Sequence, residues 1–199
     1  MRKLLSVIAI ASLLLVSNTN AAGLDLSLSN ETANFEVSSS VRKFTRGDRG
    51  GQLRSSGEVS VGLFYNDLDD VIAHGKLIAV GKQVSTRVPY QLEYGVKAFV
   101  GSISDADTDV GALAIGGGIR FRNPRKFNPI DLQIEGFFTP GITTFGDTNS
   151  VLEINTLLSV EIVPAAKAYI GYRLLEVEND SNETLELDDN IHFGFSLQF

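Results

Sequence analysis

The sequence predicts an all-β protein folded as a closed, antiparallel, up-and-down transmembrane β-barrel of about ten strands, with eight as the fallback count. Three observations predict it. Apolar and polar residues alternate with period 2 in segment after segment, the spacing that sends successive side chains to opposite faces of a strand. The last ten residues carry this most cleanly. Ile191, Phe193, Phe195, Leu197 and Phe199 fall on one face, and Asn190, His192, Gly194, Ser196 and Gln198 on the other, so the chain stops on an aromatic residue of an apolar face. Finally, no apolar run after Ala22 approaches the roughly 20 residues of a bilayer-spanning helix. A membrane crossing therefore has to be made by strands that satisfy one another's backbone groups in a closed ring.

Residues 1–21 are set apart from the fold. Arg2 and Lys3 precede an apolar run from Leu4 to Val16, and Thr19-Asn20-Ala21 supplies short residues before a cut after Ala21 or Ala22. That is the pattern of a secretory signal peptide, and it leaves residues 22–199 for the barrel. Leu24, Leu26 and Leu28 oppose Asp25, Ser27 and Ser29. After a turn at Asn30-Glu31-Thr32, Phe35, Val37 and Val41 oppose Asn34, Glu36, Ser38 and Ser40. The stretch Arg42 to Ser56 holds three glycines and five Arg or Lys and is expected as a loop.

Val59, Val61, Leu63 and Tyr65 make the next apolar row, opposite Glu58, Ser60 and Gly62, and Asn66 to Asp70 turns the chain. His74, Lys76, Ile78, Val80 and Lys82 then oppose Ala73, Gly75, Leu77 and Ala79. Beyond Pro89, Leu92, Tyr94, Val96, Ala98 and Val100 oppose Gln91, Glu93, Gly95, Lys97 and Phe99. A loop at Ser104 to Asp109 leads to Leu113, Ile115, Gly117, Ile119 and Phe121, opposite Ala112, Ala114, Gly116, Gly118 and Arg120. Residues 122–129, with two prolines, form a turn. Ile130, Leu132, Ile134 and Phe138 oppose Asp131, Gln133, Glu135 and Phe137. A loop is expected over Pro140 to Ser150. Leu152, Ile154, Leu158, Val160 and Ile162 then oppose Glu153, Asn155, Leu157, Ser159 and Glu161. A tight turn at Val163-Pro164-Ala165 precedes Ala168, Ile170, Tyr172 and Leu174, opposite Tyr169, Gly171, Arg173 and Leu175. The acidic segment Glu176 to Asn190 is expected as a loop before the final strand.

With an even strand number and both termini on the periplasmic side, the turns at 66–70, 104–109, 140–150 and 176–190 fall outside. Those at 42–56, 85–89, 122–129 and 163–165 fall in the periplasm.

Certain segments also resemble a known family. The run Gly111-Ala112-Leu113-Ala114-Ile115-Gly116-Gly117-Gly118, the segment Glu135-Gly136-Phe137-Phe138-Thr139-Pro140 and Gly171-Tyr172-Arg173 are similar to the YfaZ family of enterobacterial envelope proteins, in spacing and order from about Ser56 to Phe199. Val163-Pro164 stands where that family has Arg-Pro, and Gly95-Val96-Lys97 where it has Gly-Gly-Lys. The resemblance implies a small, porin-like outer-membrane barrel. It carries no catalytic residue to this chain.

Composition narrows the function. The formal net charge is −7, and −9 once Arg2 and Lys3 are removed, so no nucleic-acid partner is expected. With no cysteine there is neither a disulfide nor a thiolate metal site. Charged residues at 21% are too many for a helical membrane protein and must face the lumen of a barrel. The inward set includes Asp25, Glu36, Glu58, Glu93, Asp131, Glu135, Glu153 and Glu161 against Lys76, Lys82, Lys97, Arg120 and Arg173, with His74 beside them. Two readings stand for that set: a selective channel for small polar solutes or ions, or a cross-braced core filling a narrow barrel. Inward glycines at 95, 116, 118 and 171 either make room for large neighbours such as Phe99 and Phe137 or widen a pore.

Other candidates are weaker. Asp105, Asp107 and Asp109 present carboxylates in alternation, but Val110 and Gly116 stand where a calcium loop needs Gly and an acid. The basic stretches 42–54 and 122–126 offer contacts to anionic lipid headgroups. Tyr65, Tyr90, Tyr94, Phe121, Phe138 and Tyr172 supply girdle aromatics. His192 and Ser196 share a face at a spacing of roughly 13 Å, too far for proton transfer. No catalytic, cofactor-binding or metal-binding residue is assigned. The expected protein is a non-enzymatic outer-membrane barrel, porin-like or structural, whose partners are outer-membrane lipids. The alternatives are a secreted lipocalin-like barrel holding a small apolar ligand in an apolar interior, or a lipid-modifying outer-membrane enzyme.

Overall fold

Ten antiparallel strands close into a single up-and-down ring in the computed structural model, which describes residues 22–41, 56–81, 89–104, 108–123 and 129–199. The strands are β1 (Ala22–Leu28), β2 (Thr32–Val41), β3 (Ser56–Asn66), β4 (Val71–Val80), β5 (Tyr90–Ile103), β6 (Thr108–Asn123), β7 (Ile130–Phe138), β9 (Thr148–Val163), β10 (Ala166–Asn179) and β11 (Thr184–Gln198). A three-residue strand, β8 (Thr144–Gly146), is additional and pairs with β6 alone. Each barrel strand pairs with its sequence neighbours, and the ring is shut by β1 on β11. There Ala22 and Phe199 exchange both backbone hydrogen bonds, at 3.0 and 2.9 Å. Closure leaves no open edge, the condition for strands in a bilayer. The signal peptide and the basic stretch 42–54 lie outside the described residues, as do Lys82, Asp105, Asp107, Arg125 and Lys126.

The expected faces hold. Phe193 is 63% exposed and Tyr94 61%, whereas Glu93 and Arg173 are 4% and 5% exposed. Along the middle of the barrel strands the row expected to be apolar looks outward and the row opposing it inward, the reverse of a lipocalin. The girdle candidates Tyr65, Tyr94, Phe138 and Tyr172 are exposed on this outer surface. The Tyr65 hydroxyl donates to Asp69 and that of Tyr172 to Asp189, so both keep a polar tip beside an apolar body. Tyr90 and Phe121 are half-buried and pair with each other, ring centroids 6.3 Å apart.

Two expected loops are corrected. Glu176–Asn190 is mostly strand: β10 runs on to Asn179 and β11 starts at Thr184, leaving a four-residue turn. Its acidity suggested a loop, but the carboxylates of Glu176, Glu178 and Glu186 lie on the outer row. Leu175, Val177 and Leu187 turn inward across a bulge at Leu175/Glu176. The segment Pro140–Ser150 is likewise not all loop. It holds a 3-10 turn (Gly141–Thr143), β8 and the start of β9. The strand β7 is shorter than β6, so β8 completes the pairing of β6 over Val110–Ala112.

The interior is divided in two along the axis. At the end remote from the termini it is an apolar core of Phe64, Ile72, Phe99, Ile103, Val110, Ala112, Ala114, Phe137, Val151, Leu175, Val177 and Leu187, each no more than 5% exposed. The half nearer the termini is polar and charged.

Candidate functional site

The polar half encloses a chamber of about 160 Å³. Its walls are the inward rows of strands that meet only through the closed ring. Five cations point into it, and each has an anionic partner. Lys97 Nζ lies 2.6 and 2.8 Å from the two carboxylate oxygens of Glu153. Arg120 meets Glu93 at 3.1 Å and Lys167 meets Asp131 at 2.8 Å. Arg173 reaches Asp188 at 3.5 Å and donates to Ser27 Oγ at 3.2 Å. Lys76 stands between Glu36 and Glu135, at 3.6 and 3.5 Å. Near the rim, half-exposed Arg122 bridges Asp131 and Glu161.

Two of these cations mark the boundary between the zones. The Lys97 ammonium sits 5.1 Å from the Phe99 ring centroid and 5.8 Å from that of Phe137, and the Arg173 guanidinium 5.9 Å from that of Phe64. Glu153, the partner of Lys97, lines the chamber, whereas Asp188, the partner of Arg173, stands opposite Leu175 of the apolar core. Each cation thus interacts with an aromatic face on one side and an anion on the other.

Both histidines point inward. His74 Nε2 lies 3.0 Å from Asn34 Oδ1. His192 is 1% exposed and lies against the backbone of Asn190, with no side-chain hydrogen-bond partner for its ring nitrogens. Glycines make this arrangement possible. Gly171 pairs across the ladder with His192, and Gly194 with Tyr169. A Cβ at Gly171 would lie 2.5 Å from His192 Nε2, and one at Gly194 would overlap the Tyr169 ring. The two rings therefore lie along the wall over glycine, 6.0 Å apart and edge to face, and leave the chamber free. Gly62 does the same for His74, and Gly116 for Phe137. At Gly95 the near neighbour is the Leu77 backbone instead, so that glycine serves strand approach. Gly62, Gly116, Gly171 and Gly194 thus make room for neighbouring rings. Gly194→Val is expected to destabilise the barrel by about 1–3 kcal/mol through forced displacement of Tyr169, read as a shifted urea midpoint in lipid vesicles.

The inward residues expected from the alternation converge here, apart from Lys82, which lies outside the described residues. Glu161 is half-buried at the rim rather than deep. Sequence reasoning missed Asp188 and Lys167 as lumenal partners. Both were legible: Asp188 continues the inward row of His192 and Asn190 backwards, and Lys167 precedes Tyr169 by two. Among the described residues no group of three His, Asp or Glu forms a metal site.

A family model described as "YfaZ precursor" matches residues 1–199, including the N-terminal part that lies outside the segments compared above. No curated protein matches the chain. Among solved structures, the outer membrane channel DcaP of Acinetobacter baumannii is similar with a TM-score of 0.41 and 12% identity, over 88% of this chain and 54% of that one. The chain thus spans about half the length of DcaP. The NanC porin is similar with a TM-score of 0.39 and 10% identity, over 91% of this chain and 100% of that one.

Proposed function

We propose, from the premise that this chain belongs to the YfaZ family, that it is an integral outer-membrane barrel whose lumen is closed at its outer end and whose role is structural rather than solute-conducting. The observation that carries this is the apolar core in the far half of the interior. Phe64, Ile72, Phe99, Phe137, Val151 and Val177 are at most 2% exposed there, packed inward from β3, β4, β5, β7, β9 and β10. A water-filled path past them would need those rings and branched chains to move apart, at the cost of exposing apolar surface now out of reach of water. The membrane location rests on polarity. Exposed Leu, Ile and Phe girdle the outside while Glu93, Lys97, Asp131, Glu135, Glu153 and Arg173 are buried in the centre, and the outward carboxylates lie near the barrel's end, which suits a lipid surround. The lipids of that membrane are the partners this surface fits. Residues 1–21 act as a removable export signal, so the purified membrane form starts at Ala22 or Gly23, checked by mass spectrometry of the intact chain.

Planar-bilayer recording tests the closed state. The refolded protein is expected to give a flat baseline. Regular conductance steps from the unmodified chain would replace the structural reading by a porin-like one, which draws support from the polar chamber in the other half. The reading is also non-enzymatic. Lipid turnover by the purified barrel that vanished in His192→Ala would overturn that part.

A further inference from the structure

We propose that the outer end of β11 is a docking edge for an extended, basic segment of another protein, which pairs with it as an added strand. The inference needs only that this end of the barrel meets the outside medium, and it holds whether or not the lumen conducts. At the seam of the ring, Gly23 to Leu28 of β1 pair with Gln198 to Phe193 of β11. There β1 stops and the chain turns into β2, while β11 extends up to Thr184. On one side β11 keeps β10 as its partner as far as Thr184. On the other, among the described residues, no strand pairs with it from Thr184 to His192.

Hydrogen-bonding direction alternates along a strand. Phe199 exchanges both of its backbone bonds with Ala22. Residues at every second position from it, up to Ile191 and Asp189, therefore aim N–H and C=O to the β1 side, where β1 has ended. The β1–β2 turn reaches this stretch through side chains. The Thr32 hydroxyl donates to Asp188 Oδ2 at 3.3 Å, and the Asn190 amide to Glu31 at 3.1 Å. Both bridges come from the inward row of β11 and leave the outward side of the gap open. A groove of about 290 Å³ lies on that outward side, floored by Leu28, Ile191 and Phe193 and bounded by Ser29 and Asn30. A free strand edge beside an apolar groove is what strand addition requires: backbone groups supply affinity, and the groove takes alternate side chains.

Charge selects the occupant. Glu186 and Asp189 are exposed on this stretch, with exposed Glu31 beside it, and Glu186 stands opposite Glu176 of β10. The turns that join the strands at this end hold no Lys or Arg. Antiparallel pairing with the same edge of a second copy would set Glu186 and Asp189 against their own kind, which is unfavourable and guards the edge against self-association. A lipid chain would fill the groove and leave the backbone edge unused. A segment that alternates apolar side chains with Lys or Arg meets every feature at once. Its backbone pairs with Asp189 and Ile191, its apolar row enters the groove, and its cations face the carboxylates.

Fluorescence anisotropy on the refolded full barrel in phosphatidylcholine nanodiscs tests this with three labelled heptapeptides. One alternates Val with Lys, one alternates Val with Glu, and one keeps the Lys residues but carries Pro in place of the inner Val residues, so that it cannot pair as a strand. Saturable binding is expected for the Val-Lys peptide alone, with amide hydrogen exchange slowed over residues 184–191. The double variant Glu186→Lys/Asp189→Lys should lose that peptide by about tenfold or more and bind the Val-Glu peptide instead. Heat-modifiable gel migration shows that the variant is folded. The proposal falls if the Val-Lys peptide gives no saturable signal, if the Pro peptide binds equally well so that charge alone attracts it, or if the folded double variant binds like the parent. It falls equally if dihexanoylphosphatidylcholine displaces the peptide at equal concentration, which makes the groove an acyl-chain seat, or if the barrel alone sediments as a dimer that the peptide does not dissociate.

Discussion

Lys97→Met is expected to destabilise the barrel by about 3–5 kcal/mol, the range for removing one partner of a buried ion pair. Methionine keeps the length of the side chain and nearly its volume, so packing against Phe99 and Phe137 survives. What is lost is the charge 2.6 Å from Glu153, a carboxylate only 7% exposed. The remaining anion must then be buried alone or take up a proton. The double variant Lys97→Met/Glu153→Leu removes both charges and should recover most of the loss, because a matched apolar pair is frequently as stable as the ion pair it replaces. Urea unfolding in lipid vesicles measures all three. If Lys97→Met costs under 1 kcal/mol, the pair is solvated and the chamber is wetter and wider than its geometry implies. A double variant no better than the single one would assign the loss to packing instead of charge.

Phe193→Arg gives the second large effect, about 2–4 kcal/mol for a cation near the midplane of a bilayer. Phe193 sits in the middle of β11, opposite Leu28 on one side and Ile170 on the other, with its ring pointing outward. In water the same substitution at an exposed strand position would change stability by at most about 0.5 kcal/mol. The measurement therefore separates lipid from solvent around this face, which burial alone does not. The loss should shrink toward 0–1 kcal/mol for Leu197→Arg, nearer the end of the strand. Equal and small effects at both positions would place the apolar row against water or a protein partner and remove the membrane assignment.

Faces could be derived from the sequence because a strand has a strict two-residue period. Once Phe199 is placed outward, Phe193, Ile191 and their counterparts follow, and so do inward Glu93, Lys97, Glu153 and Arg173. Ten strands and the ends on which their turns fall could be counted by the same rule. The rule weakened where acid content was taken as a sign of loop. Glu176 to Asn190 extends two strands instead, since carboxylates on the outer row near the barrel's end need no burial while Leu175, Val177 and Leu187 find the interior. The apolar core at the far end was present in the pattern as inward Phe99 and Phe137. It could not be recognised there, because a two-residue period assigns a face but not a height along the axis.

What the chain determined by itself is thus local: which side chains look out, which look in, and that a ring of strands has to close. Tertiary structure alone decided the partners. Lys97 and Glu153 are 56 residues apart, and Arg173 and Ser27 are 146. Such pairs meet only when register stacks the inward rows at one level of a closed ring. The same stacking gathers the aromatic and aliphatic inward residues at one end and the charges at the other. The physical reason is that alternation is a property of one strand, whereas depth within the lumen belongs to ten strands at once.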